Sequence, residues 1–208
     1  MKILNCIVYF SLVLLMNGCV TNQVPRLTTD QIIWNPRTEF GESFKQKHLN
    51  EFYYIIRKTE DSPETASLNF VEDGISVVSN ENSVEEYQIM LHLYHGVVYN
   101  TLKTTYQSRA ASSYARNLFS LSKNIAFNPG LLDDQNINGC LIILEWKATN
   151  FLDDPYKLRS SQEGITAFIP KQALRDYANM KISIQELERQ SVFTSSLGRM
   201  ELDFSDTI

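Results

Sequence analysis

The sequence predicts an α+β protein, with N-terminal stacked helical hairpins over residues 38–130 followed by a small antiparallel β-sheet with one or two helices over residues 131–208. Three observations predict it. Apolar residues recur at helical spacing from Thr38 to Asn124, interrupted by the breaks "DSPE" and "SNENS". The stretch "NPG" at Asn128 to Gly130 then ends that pattern. Beyond it, "CLIILEWKA" and "GITAFIP" are short apolar runs with β-branched residues, which favour strands over helices.

Ahead of the fold, Met1-Lys2 places a positive charge beside the amino terminus, and Ile3 to Met16 is apolar apart from Asn5 and Ser11. That run is shorter than the roughly 20 residues a membrane helix needs. It fits a secretory leader instead: a basic start, a short apolar core, then small or polar residues at a cut site. The cut site is Met16-Asn17-Gly18-Cys19, and a small residue directly before a Cys resembles the lipobox of bacterial lipoproteins. The resemblance implies that residues 1–18 are a signal peptide, that Cys19 becomes the acylated first residue, and that residues 19–37 form a lipid-anchored tether. Two acyl chains anchor stably where one binds marginally, at about 0.8 kcal/mol per buried methylene. Val20 stands where an Asp would hold a Gram-negative lipoprotein at the inner membrane, so the resemblance favours the outer membrane in such a cell.

Phe40, Phe44, Phe52 and Ile55 or Ile56 predict a first helix ending near Lys58. Ser62 can cap a restart with Pro63 at the first helical position, and Ala66, Phe70, Gly74 and Val78 recur every four residues as a second helix. Tyr87 to Leu102 and Ser108 to Lys123 complete the four. At one constant offset His48-Leu49 falls on His92-Leu93, Ala66 on Ala110, Phe70 on Tyr114 and Asn80 on Asn124. "GVVYNTL" followed by "AASSY" is similar to a tetratricopeptide repeat in its order of small and aromatic residues, although the turn is longer than that family's repeat of about 34 residues allows. Hairpins of this kind expose an apolar face that only stacking buries.

In the C-terminal part, Cys140 to Ala148 and Gly164 to Pro170 are expected to pair as strands, with "TNFLDDPYKLRSSQE" as an exposed flap between them. Pro170 is expected to open a helix through Asn179. A second helix, Ser183 to Gln190, has Ser183 and Glu186 at capping-box spacing. Met200, Leu202 and Phe204 alternate after Gly198, which predicts a closing hairpin.

The formal charge is −5 and no stretch is rich in Lys or Arg, so the basic footprint that nucleic acid requires is missing. Cys6 leaves with the leader and Cys19 would carry lipid, which leaves Cys140 without a disulfide partner and, between Gly139 and Leu141, in a buried setting.

Two constellations could hold a metal. Asp134, Asn136, Asn138, Gly139 and Glu145 fit the calcium-loop pattern D-x-[DN]-x-[DN]-G-x5-E, in which alternate oxygens converge on a hard cation and Glu closes the site. The competing explanation is an Asn-Gly turn leading into a strand. His92 and His95 would share a helix face, with His48 and Glu51 at the equivalent places one repeat earlier, so that stacked hairpins could bring the four together. Polar residues at helix surfaces explain the same spacing. The pairs Asp133-Asp134 and Asp153-Asp154 read as solvated loop charges.

No G-x-S-x-G, H-E-x-x-H, phosphate loop or Cys-His arrangement is present. The expectation is a lipid-anchored, non-enzymatic interaction or accessory-assembly module of the cell envelope, without a cofactor, touching the membrane through Cys19 and a protein partner through its body. The alternatives are a metal-dependent hydrolase of envelope polymers using the histidines, and a calcium- or small-ligand-binding module.

Overall fold

A computed structural model describes residues 26–79, 86–196 and 198–202. The segment expected to be a leader, Cys19 and the start of the expected tether lie outside these residues, as does Phe204.

Among the described residues three helices come first: α1 (Thr29–Ile32), α2 (Glu39–Lys47) and α3 (Leu49–Asp61). Thr38 caps α2 by accepting from the Gly41 N–H, and Glu39 and Glu42 in its first turn with Lys45 and Lys47 in its last complement the helix dipole. A 3-10 turn (Pro63–Thr65) follows, with Ser62 accepting from the Glu64 N–H. The chain then forms β1 (Leu68–Ser79), β2 (Tyr87–Asn100), α4 (Tyr106–Ala126), α5 (Pro129–Asp133), β3 (Ile137–Thr149) and β4 (Ser161–Pro170). It closes with α6 (Lys171–Ala178), α7 (Ile184–Gln190), β5 (Val192–Ser195) and β6 (Gly198–Met200).

The strands make one six-stranded sheet in chain order. β2 and β3 run parallel and every other neighbouring pair is antiparallel. A parallel neighbour cannot be reached through a tight turn, and α4 with α5 supplies the crossover. All seven described helices send apolar residues into a single core: Ile32, Phe44, Phe52, Leu118, Leu131, Leu174 and Leu187 are all buried in it. The sheet contributes Ile89, Leu91 and Leu93 from β2, Ile142, Leu144 and Trp146 from β3, and Ile165, Ala167 and Ile169 from β4. Trp146 is fully buried between Tyr99 and Tyr106, with ring centroids 6.3 and 5.9 Å away.

This architecture overturns the stacked helical hairpins. The first and fourth predicted helices are helical, as α2 with α3 and as α4, but the second and third are β1 and β2. The physical reason in β1 is a bulge. Its pairing with β2 shifts between Phe70 and Ile75, where Asp73 adopts φ 54°. Leu68 and Phe70 face the core before the bulge and Ile75 and Val77 after it, so the two-residue alternation changes phase and a four-residue period appears by coincidence. In β2 the side opposite the core carries Met90 and Tyr94, so neither face reads as polar. The tetratricopeptide likeness falls with the hairpins, because Phe70 lies on a strand and Tyr114 on a helix.

The C-terminal expectations fare differently. β3 and β4 pair antiparallel from Gly139 with Pro170 to Ala148 with Ser161. Ser183 caps α7 by accepting from the Glu186 N–H, and Gly198 turns the last hairpin at φ 105°. The sheet is nevertheless larger than expected and mixed, because β1 and β2 join it.

Candidate functional site

With every described helix on the core side, the second face of the sheet has no described helix over it. The pairing registers lay out that face row by row. Ser76, Met90, Leu141, Phe168 and Val192 are successive cross-strand neighbours over five strands. His92, Ile143, Thr166 and Thr194 form the next row, and Asn69, Tyr94, Glu145 and Gly164 the one after. Met90, Leu141, Ile143, Phe168 and Val192 are all half-buried, which leaves an apolar strip partly open to solvent. Its floor is close: a Cβ at Gly139 would sit 2.6 Å from the Phe168 ring, so only glycine lets that ring lie flat across β3.

The strip has a polar margin. His92 Nε2 lies 3.3 Å from Glu145 Oε2, an ion-pair contact outside hydrogen-bond geometry. Gln162 Nε2 donates to Glu145 Oε2 at 2.6 Å. Burial, and then the Glu145 carboxylate, raise the Tyr94 hydroxyl above its ordinary pKa. Beyond Glu145 a cleft of about 570 Å³ opens between β4 and β5, lined by Tyr106, Glu163, Thr166, Thr194 and Ser195 among others. β5 pairs with β4 only from Thr166 to Phe168, so the earlier part of β4 has no described strand on that side. Tyr106 donates its hydroxyl to the Gly164 carbonyl there. On the core side of β4, Glu163 is gripped by Arg109 through Nε at 2.8 Å and Nη2 at 2.6 Å, and by Trp146 Nε1 at 2.8 Å.

The residues proposed for metals are dispersed. Asp134 Oδ1 accepts from the Asn136 N–H, Asn138 donates to Glu86, and Glu145 sits well along β3 on the open face. From Ile137 to Glu145 an extended strand advances about 26 Å, too far for Glu145 to close a loop around Asp134. The segment after Asn136 is a strand and not the second helix of a calcium hand. Asp134 is instead a buried ion-pair partner, which corrects the expectation of a solvated charge: Lys47 Nζ and His48 Nε2 lie 2.8 and 2.9 Å from its Oδ2. Asp133 pairs with Arg175 at an exposed position.

His48 and Glu51 are neighbours, with Nδ1 to Oε1 at 3.8 Å. His92 and His95 are not. Three residues apart on a strand, they point to opposite faces, His92 outward and His95 into the core against Ser113 Oγ at 3.3 Å. Among the described residues no group of three or more His, Cys, Asp and Glu side chains is arranged to hold a metal ion. The contact between His95 and Ser113 lies in the core, where both side chains are buried. Cys140 is buried, and burial pushes its thiol far above the ordinary range.

The open face was not singled out from the sequence. The signal was the alternation of Ile89, Leu91, Leu93 and His95 in "IMLHLYH", whose even positions carry the exposed set. No described helix is long and apolar enough to cross a membrane. No family model matches the chain, and no curated protein or solved structure matches it.

Proposed function

We propose that this protein is a lipid-anchored, non-enzymatic interaction module of the cell envelope that presents the open face of its sheet to a protein partner. The observation that supports it is the apolar strip of Met90, Leu141, Ile143, Phe168 and Val192, continuous across four strands with no described helix above it. Sheets with one wet face normally alternate apolar-in and polar-out. An apolar second face keeps a hydrophobic driving force in reserve for association. The His92–Glu145 margin supplies the polar rim that gives such a contact its orientation. Anchoring rests on Gly18-Cys19 at the end of the apolar leader.

The test is site-specific photo-crosslinking in cells, with the reactive group at Ile143 or at the exposed Met180 on the helical side. A discrete adduct from Ile143, absent from Met180 and abolished by Met90→Asp, is the expected result. The same adduct from both positions, or none from Ile143, would remove the basis of the proposal. Changing Cys19→Ser should release the chain from the membrane fraction, which tests the anchor separately.

A further inference from the structure

Large apolar side chains crowd one end of the sheet. Leu152, Tyr156 and Leu158 in the β3–β4 loop are 80%, 82% and 82% exposed, and Leu102 in the β2–α4 turn is 53% exposed. The two loops are adjacent: the Phe151 N–H reaches Asn100 Oδ1, and the Thr101 N–H donates to the Thr149 carbonyl. Such exposure is costly in water, and no described residue relieves it. Lys157 lies over the Phe151 ring at 5.1 Å, and Arg159, Lys103 and Lys147 stand nearby in sequence or register, against Asp153 and Asp154. Apolar tips flanked by bases suit the headgroup boundary of a bilayer.

The chain enters from the same end. Ile33 bridges Ile75 in parallel and the Trp34 N–H donates to the Ile75 carbonyl, so residues 26–32 lie back toward the start of β1. Arg26 pairs there with Glu60, in the last turn of α3 just ahead of β1. β1 starts at the end of the sheet where β2 and β3 finish and β4 begins, because Leu68 pairs with His95 and Asn100 with Thr149. From Cys19 to Arg26 an extended chain spans at most about 25 Å. A lipid on Cys19 therefore holds this end of the body within reach of the bilayer.

We infer that the loop end carrying Leu102, Leu152, Tyr156 and Leu158 is a membrane-docking surface that inserts into the lipid interface beside the anchor. The inference rests on the anchor at Cys19 for its orientation. It leaves the sheet standing along the membrane normal, with its open face available to a partner at the bilayer surface.

The test uses the full chain purified from membranes and reconstituted in vesicles of phosphatidylethanolamine and phosphatidylglycerol with brominated acyl chains. Tyr156→Trp places an indole in the loop, and Phe127→Trp places one past the end of α4, at the far end of the crossover; each is read as emission above that of the parent protein. Quenching of the indole from Tyr156→Trp, with none from Phe127→Trp, is expected. Leu152→Ser with Leu158→Ser should reduce that quenching while the near-ultraviolet circular dichroism is unchanged. Intact mass reports separately whether Cys19 is acylated. If it is, and the loop indole is not quenched, the docking surface is wrong and the loops face a protein or a second copy. If Cys19 is unmodified, the anchor has failed, and the same chain added to the vesicles decides the loops alone: quenching sustains the surface and its absence overturns it.

Discussion

His48 Nε2 lies 2.9 Å from Asp134 Oδ2, and both side chains are almost wholly buried. The contact ties the α2–α3 junction to the segment that launches β3, and Lys171 joins it by donating to the Asp134 carbonyl. Burial alone would raise the Asp134 carboxyl, but hydrogen bonds from Lys47, His48 and the Asn136 N–H outweigh it and hold the group at about 2. A carboxyl held below its unfolded value stabilises the fold above that value and loses the contribution as pH falls through the folded one. The shift from the ordinary 3.8 corresponds to about 2 kcal/mol at neutral pH. Asp134→Asn should therefore cost on the order of 2–3 kcal/mol at pH 7, and the gap to the parent should close between pH 4 and pH 2. Urea melts across that range check it; a gap independent of pH would contradict it.

Arg109 and Glu163 predict an asymmetry. Arg109→Ala strands a carboxylate held beneath the sheet and should cost about 3–5 kcal/mol. Glu163→Gln keeps an acceptor for Trp146 Nε1 and should cost less than Arg109→Ala. Equilibrium unfolding of both variants gives the ordering.

The register of β3 makes a sharper prediction, because neighbours on the strand face opposite ways. Ile142 is fully buried and Ile143 half-buried on the open side. Ile142→Ala should cost about 2–5 kcal/mol. Ile143→Ala should cost under about 1.5 kcal/mol yet weaken partner capture. Thermal melts paired with crosslinking yield separate the two effects.

The buried thiol gives a count of accessible sulfur. Native protein should resist maleimide at pH 8, since burial keeps Cys140 protonated. Unfolding should then release a single reactive thiol if the leader with Cys6 is gone and Cys19 is acylated. A second thiol would mean that Cys19 carries no thioether-linked lipid or that the segment with Cys6 is retained, and intact mass separates the two.

Much of the C-terminal half was legible because its cues are local. Ser183 with Glu186, Pro170 ahead of α6, and Gly198 at its turn each specify backbone geometry within a few residues. β1 and β2 were not, because their faces are assigned by partners far along the chain. Phe70 gains its side from Leu93, and Met90 lies on the open face because its neighbours Ile89 and Leu91 turn into the core. The metal assignments failed for the same reason: spacing that converges on a helix or loop diverges on a strand, as His92 and His95 do. The open strip is a property of the assembled sheet: the alternation in β2 marks one of its strands, and the registers with β3, β4 and β5 make it continuous.

The parallel seam between β2 and β3 has a consequence for how the chain reaches its final form. The pairs β1–β2 and β3–β4 are near in sequence, whereas the seam waits for the 21-residue α4 to cross over. Until then two separate ribbons each leave an inner edge unpaired, at Ile89 to Leu93 and Cys140 to Leu144, rich in residues that template intermolecular strands. A polypeptide delivered unfolded across a membrane would meet that interval outside the cytoplasm, so its yield there should depend on a holding chaperone until the seam zips.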